Sequence, residues 1–119
     1  MAQTTYGPSG VTLRFPGWEA VMAGRSMLHI PPHAIMAARA ESGWTSEVLG
    51  MRSGIVISGL LKLGTFTHPS GTRRLVSMRR GMPLLRLRTD RRTTGYDEVL
   101  LSTEDAEPIA RTMQGSLAR

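Results

Sequence analysis

Residues 73–92 hold eight arginines, Arg73, Arg74, Arg79, Arg80, Arg86, Arg88, Arg91 and Arg92, against one acid, Asp90. Eight minus one is a local charge of +7; with +6 for the whole chain, the remainder stands at −1. A guanidinium is a planar fork of N–H donors that matches a carboxylate or a phosphate with two parallel bonds. Arg73, Arg79, Arg80, Arg86, Arg88, Arg91 and Arg92 are therefore the candidate ligand-binding residues. Three readings of this stretch stand side by side. A plain solvated face needs no partner. An anionic membrane contact would draw on about 1 kcal/mol per basic residue near the surface. A nucleic-acid surface would want stacking aromatics among the charges, and Tyr96 alone lies close in sequence. Fourteen of the fifteen basic residues are Arg, a bias that a GC-rich genome also produces without any function.

A second candidate contact is apolar. Ile55, Val56, Ile57, Leu60 and Leu61 could form a loop that dips into a bilayer or a partner's groove. Packing at a sheet edge is the competing reading. Trp18 and Trp44 divide in the same way between interfacial anchoring and core packing.

Catalytic and metal chemistry find little support. The chain has no cysteine, which removes disulfides, thiolate nucleophiles and Cys-based zinc sites together. His29 and His33 are four apart, as ligands on a helix can be, but Pro31 and Pro32 between them preclude a regular turn. No nucleophile elbow is present, and the glycines around Gly54 and Gly59 lack the ending of a phosphate-binding loop. No enzyme activity, cofactor or metal is expected.

The elements that must position these residues are mostly strands. With 119 residues the chain suits one domain with one core. Met1 to Gly10 reads as a flexible polar tail ending in a Gly-Pro-Ser-Gly cluster, and 11–119 as the domain. Period-two alternation or strand-rich composition marks Val11 to Phe15, Ser26 to Ile30, Lys62 to His68, Arg73 to Met78, Leu84 to Thr89 and Tyr96 to Ser102. Ala34 to Glu41 suits a helix as well as a strand, and its place between strands favours a strand. Helical turns are expected near Trp18 to Ala23 and Trp44 to Leu49.

Arg73 to Thr89 reads as a hairpin closed at Arg80-Gly81-Met82-Pro83. Met78 would face Leu85 and Val76 would face Leu87, so Val76, Met78, Leu85 and Leu87 share an inner face and the arginines lie outside. The last element is a helix. Glu104, Asp105 and Glu107 sit at its positive end, Pro108 fits its first turn, and Asp105 is the favoured cap. Ala106, Ile109, Ala110, Met113 and Leu117 form one apolar stripe. The fold class is mainly β with a C-terminal α-helix. The N-terminus shows no basic leader or long apolar run, and no stretch approaches the roughly 20 apolar residues of a spanning helix. A cytoplasmic location is expected, with room for peripheral contact at the inner membrane face.

About seven strands followed by one helix resemble a pleckstrin-homology-like domain. The run LGMRSGIVISGLLKLGTF from Leu49 to Phe66, with IPPHAI upstream and VLLSTEDAE downstream, is similar to bacterial, chiefly actinobacterial, members of that group. The resemblance implies a two-sheet barrel of about seven antiparallel strands capped by the helix. It implies a non-enzymatic recognition or adaptor domain whose partner is a protein or an anionic membrane face. A small basic nucleic-acid-binding protein is the alternative.

Overall fold

The computed structural model describes residues 3–15, 26–42, 51–57 and 61–117. Among these the chain forms nine strands: β1 (Gln3–Gly7), β2 (Gly10–Arg14), β3 (Met27–Ile30), β4 (Ile35–Glu41), β5 (Met51–Ile57), β6 (Leu61–Thr67), β7 (Arg73–Arg79), β8 (Leu84–Thr89) and β9 (Glu98–Ser102). A short helix α1 (Arg91–Thr94) joins β8 to β9, and α2 (Ala106–Leu117) ends the chain. The helical turns expected at Trp18 to Ala23 and Trp44 to Leu49 lie outside the described residues. None of the described helices is long and apolar enough to cross a membrane.

The strands build two sheets. β1, β2 and β3 form an antiparallel sheet in that order; the larger sheet runs β4-β8-β9-β7-β6-β5. The larger sheet ends at β4 on one side and β5 on the other, so the barrel does not close as the resemblance implied. Nor is every pair antiparallel, since β7 and β9 run parallel with Val76 opposite Leu100.

Three further expectations are corrected. Residues 1–10 are not simply a flexible tail, because Gln3–Gly7 pairs along β2 and Pro8 and Ser9 make the turn. The cluster at residues 7–10 is therefore a hairpin turn. Gly10 is required there, with φ of 108° and room for a Cβ blocked 2.1 Å from the Ile30 carbonyl. Next, Ile55, Val56 and Ile57 belong to β5 and Leu61 to β6, paired antiparallel with Ile57 opposite Leu61, so they are not a projecting loop. Leu60 lies outside the described residues.

The third correction is the largest. β7 and β8 do not pair with each other; β9 lies between them, bonded to both. The reason is hydrophobic. Val99, Leu100 and Leu101 are consecutive and all buried, and a strand that is apolar on both sides belongs in the interior of a sheet rather than at its edge. Ser102 fastens this arrangement, its Oγ accepting the Arg79 N–H at 2.6 Å. Inserting a strand changes which residues share a face. Leu75, Leu85, Leu87, Val99 and Leu101 join one cluster, while Val76, Met78, Leu84, Leu100 and Phe66 form another. All four predicted inward residues are buried, but Val76 and Met78 lie on the opposite face from Leu85 and Leu87.

The first cluster is the main core. Val11, Leu13, Leu28 and Ile30 of the small sheet and Phe15 just after β2 meet it from one side, and Ala106, Ile109, Ala110 and Met113 of α2 from another. The expected helical stripe is thus the buried one at these four positions. α2 begins one residue after Asp105, whose carbonyl accepts the Ile109 N–H at 2.9 Å, and Pro108 falls in the first turn, where its missing N–H has no intrahelical partner to lose.

Candidate anion-recognition site

The eight arginines separate into three groups once the register is known. Arg79 and Arg80 lie at the turn between β7 and β8, and both are exposed. Arg73, Arg88, Arg91 and Arg92 gather at the opposite end of the sheet, where β7 begins, β8 ends and α1 follows. Arg74 and Arg86 lie between, on the face that carries Val76 and Leu100. No single arginine face exists. Arg79 differs in parity from Val76 along β7, so it projects to the side opposite Arg86.

Arg86 is half-buried and tied into an ion-pair ladder. Its Nη1 donates to Glu98 Oε1 at 2.7 Å and its Nη2 to Glu41 Oε1 at 3.2 Å. Arg74 Nε donates to the same Glu98 oxygen at 2.9 Å, and Arg39 Nη2 donates to Glu41 Oε2 at 2.8 Å. The result is a ladder, Arg39–Glu41–Arg86–Glu98–Arg74, across four strands. The side chains of Arg74, Arg86 and Glu98 are only 15%, 14% and 16% exposed, so their charges are spent on one another. Glu41 and Glu98 were invisible as partners in the sequence, because β4 and β9 are brought to Arg86 only by long-range pairing.

The end of the sheet is different. Asp90 caps α1, with Oδ1 accepting the Arg92 N–H at 3.2 Å and Oδ2 accepting the Thr93 hydroxyl at 2.9 Å. Gly95 closes the helix with φ of 85°, a conformation glycine takes without strain. The Thr94 hydroxyl accepts the Tyr96 N–H at 3.1 Å and lies 2.9 Å from the Tyr96 carbonyl, which also accepts Thr89 Oγ1 at 2.6 Å. Asp97 Oδ2 accepts the Arg73 N–H at 2.8 Å and an Arg91 N–H at 3.4 Å, and Arg91 also donates to the Gly71 carbonyl at 2.9 Å. This connection is short and cross-braced at every turn, so it holds its arginines on a fixed base. Tyr96 is buried beneath Arg73, whose guanidinium carbon stands 5.4 Å from the ring centre.

A concavity of about 660 Å³ opens at this end, with Arg88, Arg91, Arg92, Asp97, Glu98 and Met36 on its walls. Three acids, Asp90, Asp97 and Glu98, match three arginines around it, so the formal charge of the wall is zero. Hydrogen-bonding capacity is not balanced. The acids are occupied by the cap, the Arg73 and Arg91 bonds and the ladder, whereas the exposed side chains of Arg88 and Arg92 make no ion pair with a described residue. Each brings about five N–H donors. The site can therefore accept carboxylate or phosphate oxygens by directed bonds, while exerting little long-range field.

Met36 is the wall residue the sequence did not single out. It is the unpaired residue of a β-bulge, since Ile35 faces Thr89 and Ala37 faces Arg88. The burial sequence across Ile35 to Ala38 is buried, exposed, exposed, buried. A strand interrupted this way keeps Ala38 in the core and turns Met36 outward, 58% exposed, beside Arg88.

The histidines do not assemble here. His29 Nδ1 is 2.8 Å from Thr12 Oγ1 on the small sheet, and His68 Nδ1 accepts the Ser70 N–H at 3.1 Å in the β6–β7 turn. Among the described residues no group of three or more His, Asp or Glu could hold a metal ion. Comparison of the chain with family models, with curated proteins and with solved structures gives no match to any of them.

Proposed function

We propose that this chain is a non-enzymatic recognition domain that grips an acidic segment of a partner protein at the Arg88–Arg92 concavity. The observation that carries the reading is the donor surplus at a formally neutral wall: two guanidiniums with no ion-pair partner among the described residues, set among acids that each already accept from another group. An anionic membrane would need summed attraction from cations on one plane. Here Arg79 and Arg80 stand at the far end of the sheet and Arg86 is neutralised, which disfavours that contact. Nucleic acid would need an exposed ring among the charges to stack on, and Tyr96, the ring packed against Arg73, is 2% exposed. A C-terminal helix laid over a sheet supports kinship with pleckstrin-homology-like domains, with an open sheet and a parallel β7–β9 pair as departures from that pattern.

Fluorescence anisotropy with a labelled oligoglutamate peptide tests the reading, alongside sedimentation with phosphatidylserine–phosphatidylcholine vesicles. The wild-type protein should bind the peptide in low salt. R88E/R92E should abolish binding and keep the melting temperature; R79E/R80E should bind as wild type does. Vesicle binding lost in R79E/R80E, with no peptide binding, would overturn the proposal in favour of a membrane face.

A further inference from the structure

The same concavity carries a clue to what stands beside the acid in its ligand. Resting on the acidic-partner reading, we infer that the recognised segment pairs an acidic residue with an adjacent apolar one, the acid held by Arg88 and Arg92 and the apolar side chain seated on Met36.

β4 could have alternated regularly, and regular alternation after Met36 would turn Ala37 inward and Ala38 outward. The extra residue prevents this. Ala38 stays 5% exposed in the main core, and both Met36 and Ala37 face out. Bulges commonly occur where a sheet re-aims a side chain next to a site, and here the re-aimed side chain is a long, unbranched thioether. Methionine adapts to varied apolar surfaces at little conformational cost, which suits a contact to a flexible segment.

A single exposed methionine on a protein surface needs no explanation, and Met27, 48% exposed on β3, is such a case. Met36 differs because it shares a wall with Arg88 and Arg92. The guanidiniums supply directed donors for one carboxylate, and the thioether supplies the only strongly exposed large apolar side chain among the wall residues. A ligand with acids alone would leave Met36 in water. An apolar residue next to the acid buries both it and Met36, adding affinity without further charge.

Two labelled peptides of equal length separate this from the broader reading: oligoglutamate, and the same peptide with one central Glu replaced by Leu. The wild-type protein should bind the leucine peptide about fivefold more tightly, the effect of burying part of one apolar side chain. Met36→Ser should equalise the two peptides. Met27→Ser should keep the fivefold preference. A preference that survives Met36→Ser, or equal binding of both peptides by wild type, overturns the apolar seat and leaves the acidic site standing. Failure of both peptides to bind overturns the acidic-partner reading and this inference with it.

Discussion

The two faces of the six-stranded sheet solve burial in opposite ways. One face is apolar from Leu75 through Val99 and Leu101 to Leu85 and Leu87, and it is covered by the small sheet and α2. The other carries a smaller apolar patch, Phe66, Val76, Met78, Leu84 and Leu100, alongside the Arg39–Glu41–Arg86–Glu98–Arg74 ladder. The first face needs only shape, because apolar contact has no direction. The second must satisfy every charge it hides, so its arginines are fixed by acids from β4 and β9. The arginines in the middle of that face are held by acids on neighbouring strands, whereas Arg88 and Arg92 at its end make no ion pair with a described residue.

The most drastic way to break this comparison is to remove a cover. Truncation after Asp105 deletes Ile109 and Met113, each worth roughly 1.5–3 kcal/mol when fully buried, and uncovers the core beneath them. A domain of this size has only about 5–15 kcal/mol in total. The shortened chain should therefore show no cooperative thermal transition by circular dichroism. A melt near that of the intact protein would mean that α2 is an accessory to the apolar face.

Next in size is a test of which residues share a face. Ser77 is 7% exposed and lies opposite Leu101 in the β7–β9 pair. Ser77→Asp would put an unpaired carboxylate in the interior and should cost more than about 3 kcal/mol in urea unfolding. In a direct β7–β8 hairpin the same position looks out to solvent, and the change would cost almost nothing. A neutral Ser77→Asp would thus restore the simple hairpin and exclude β9 from the middle of the sheet.

That contrast also marks what the sequence could and could not convey. Local patterns carried β2, β3, β8 and α2 directly: alternation, Pro and Gly stops, and an acid-led apolar stripe are all short-range signals. β9 was recognised as a strand, but its position depends on partners more than ten residues away, and only the unbroken Val99-Leu100-Leu101 run hinted that it is wrapped on both faces. β4 read ambiguously for a physical reason. Its bulge places Ile35 and Ala38 in the core three residues apart, which is helical spacing written on a strand. β1 was lost because Gln3 to Gly7 has no buried residue to create a pattern. Within the candidate site, Arg88, Arg91 and Arg92 were legible from charge. Arg86 looks accessible in the sequence because its partners Glu41 and Glu98 come from distant segments, and nothing in the neighbourhood of Met36 reveals a bulge.

A smaller effect sharpens the polar face. Arg86→Ala removes the middle of the ladder and leaves Glu41 with Arg39 and Glu98 with Arg74. Removing one partner of a buried pair usually costs about 3–5 kcal/mol. Because each acid here keeps a second arginine, we expect roughly 2 kcal/mol by urea denaturation, with oligoglutamate binding unchanged. Intact stability combined with lost peptide binding would show that Arg86 is a ligand residue after all.

The smallest effect belongs to the outer end of the same ladder. Arg39 is 65% exposed on its side chain and its partner Glu41 is 27% exposed, so the pair sits largely in water. Exposed pairs are worth about 0.2–1 kcal/mol, and Arg39→Ala should lower stability by no more than that. Salt separates it from Arg86. At about 1 M ionic strength the Debye length falls to roughly 3 Å, which screens solvent-exposed charges far more than hidden ones. Raising salt should therefore erase the Arg39→Ala difference and leave most of the Arg86→Ala difference in place. If both differences vanish together, the inner ladder is as hydrated as its end, and the two faces of the sheet differ less in their interior character than their side chains imply.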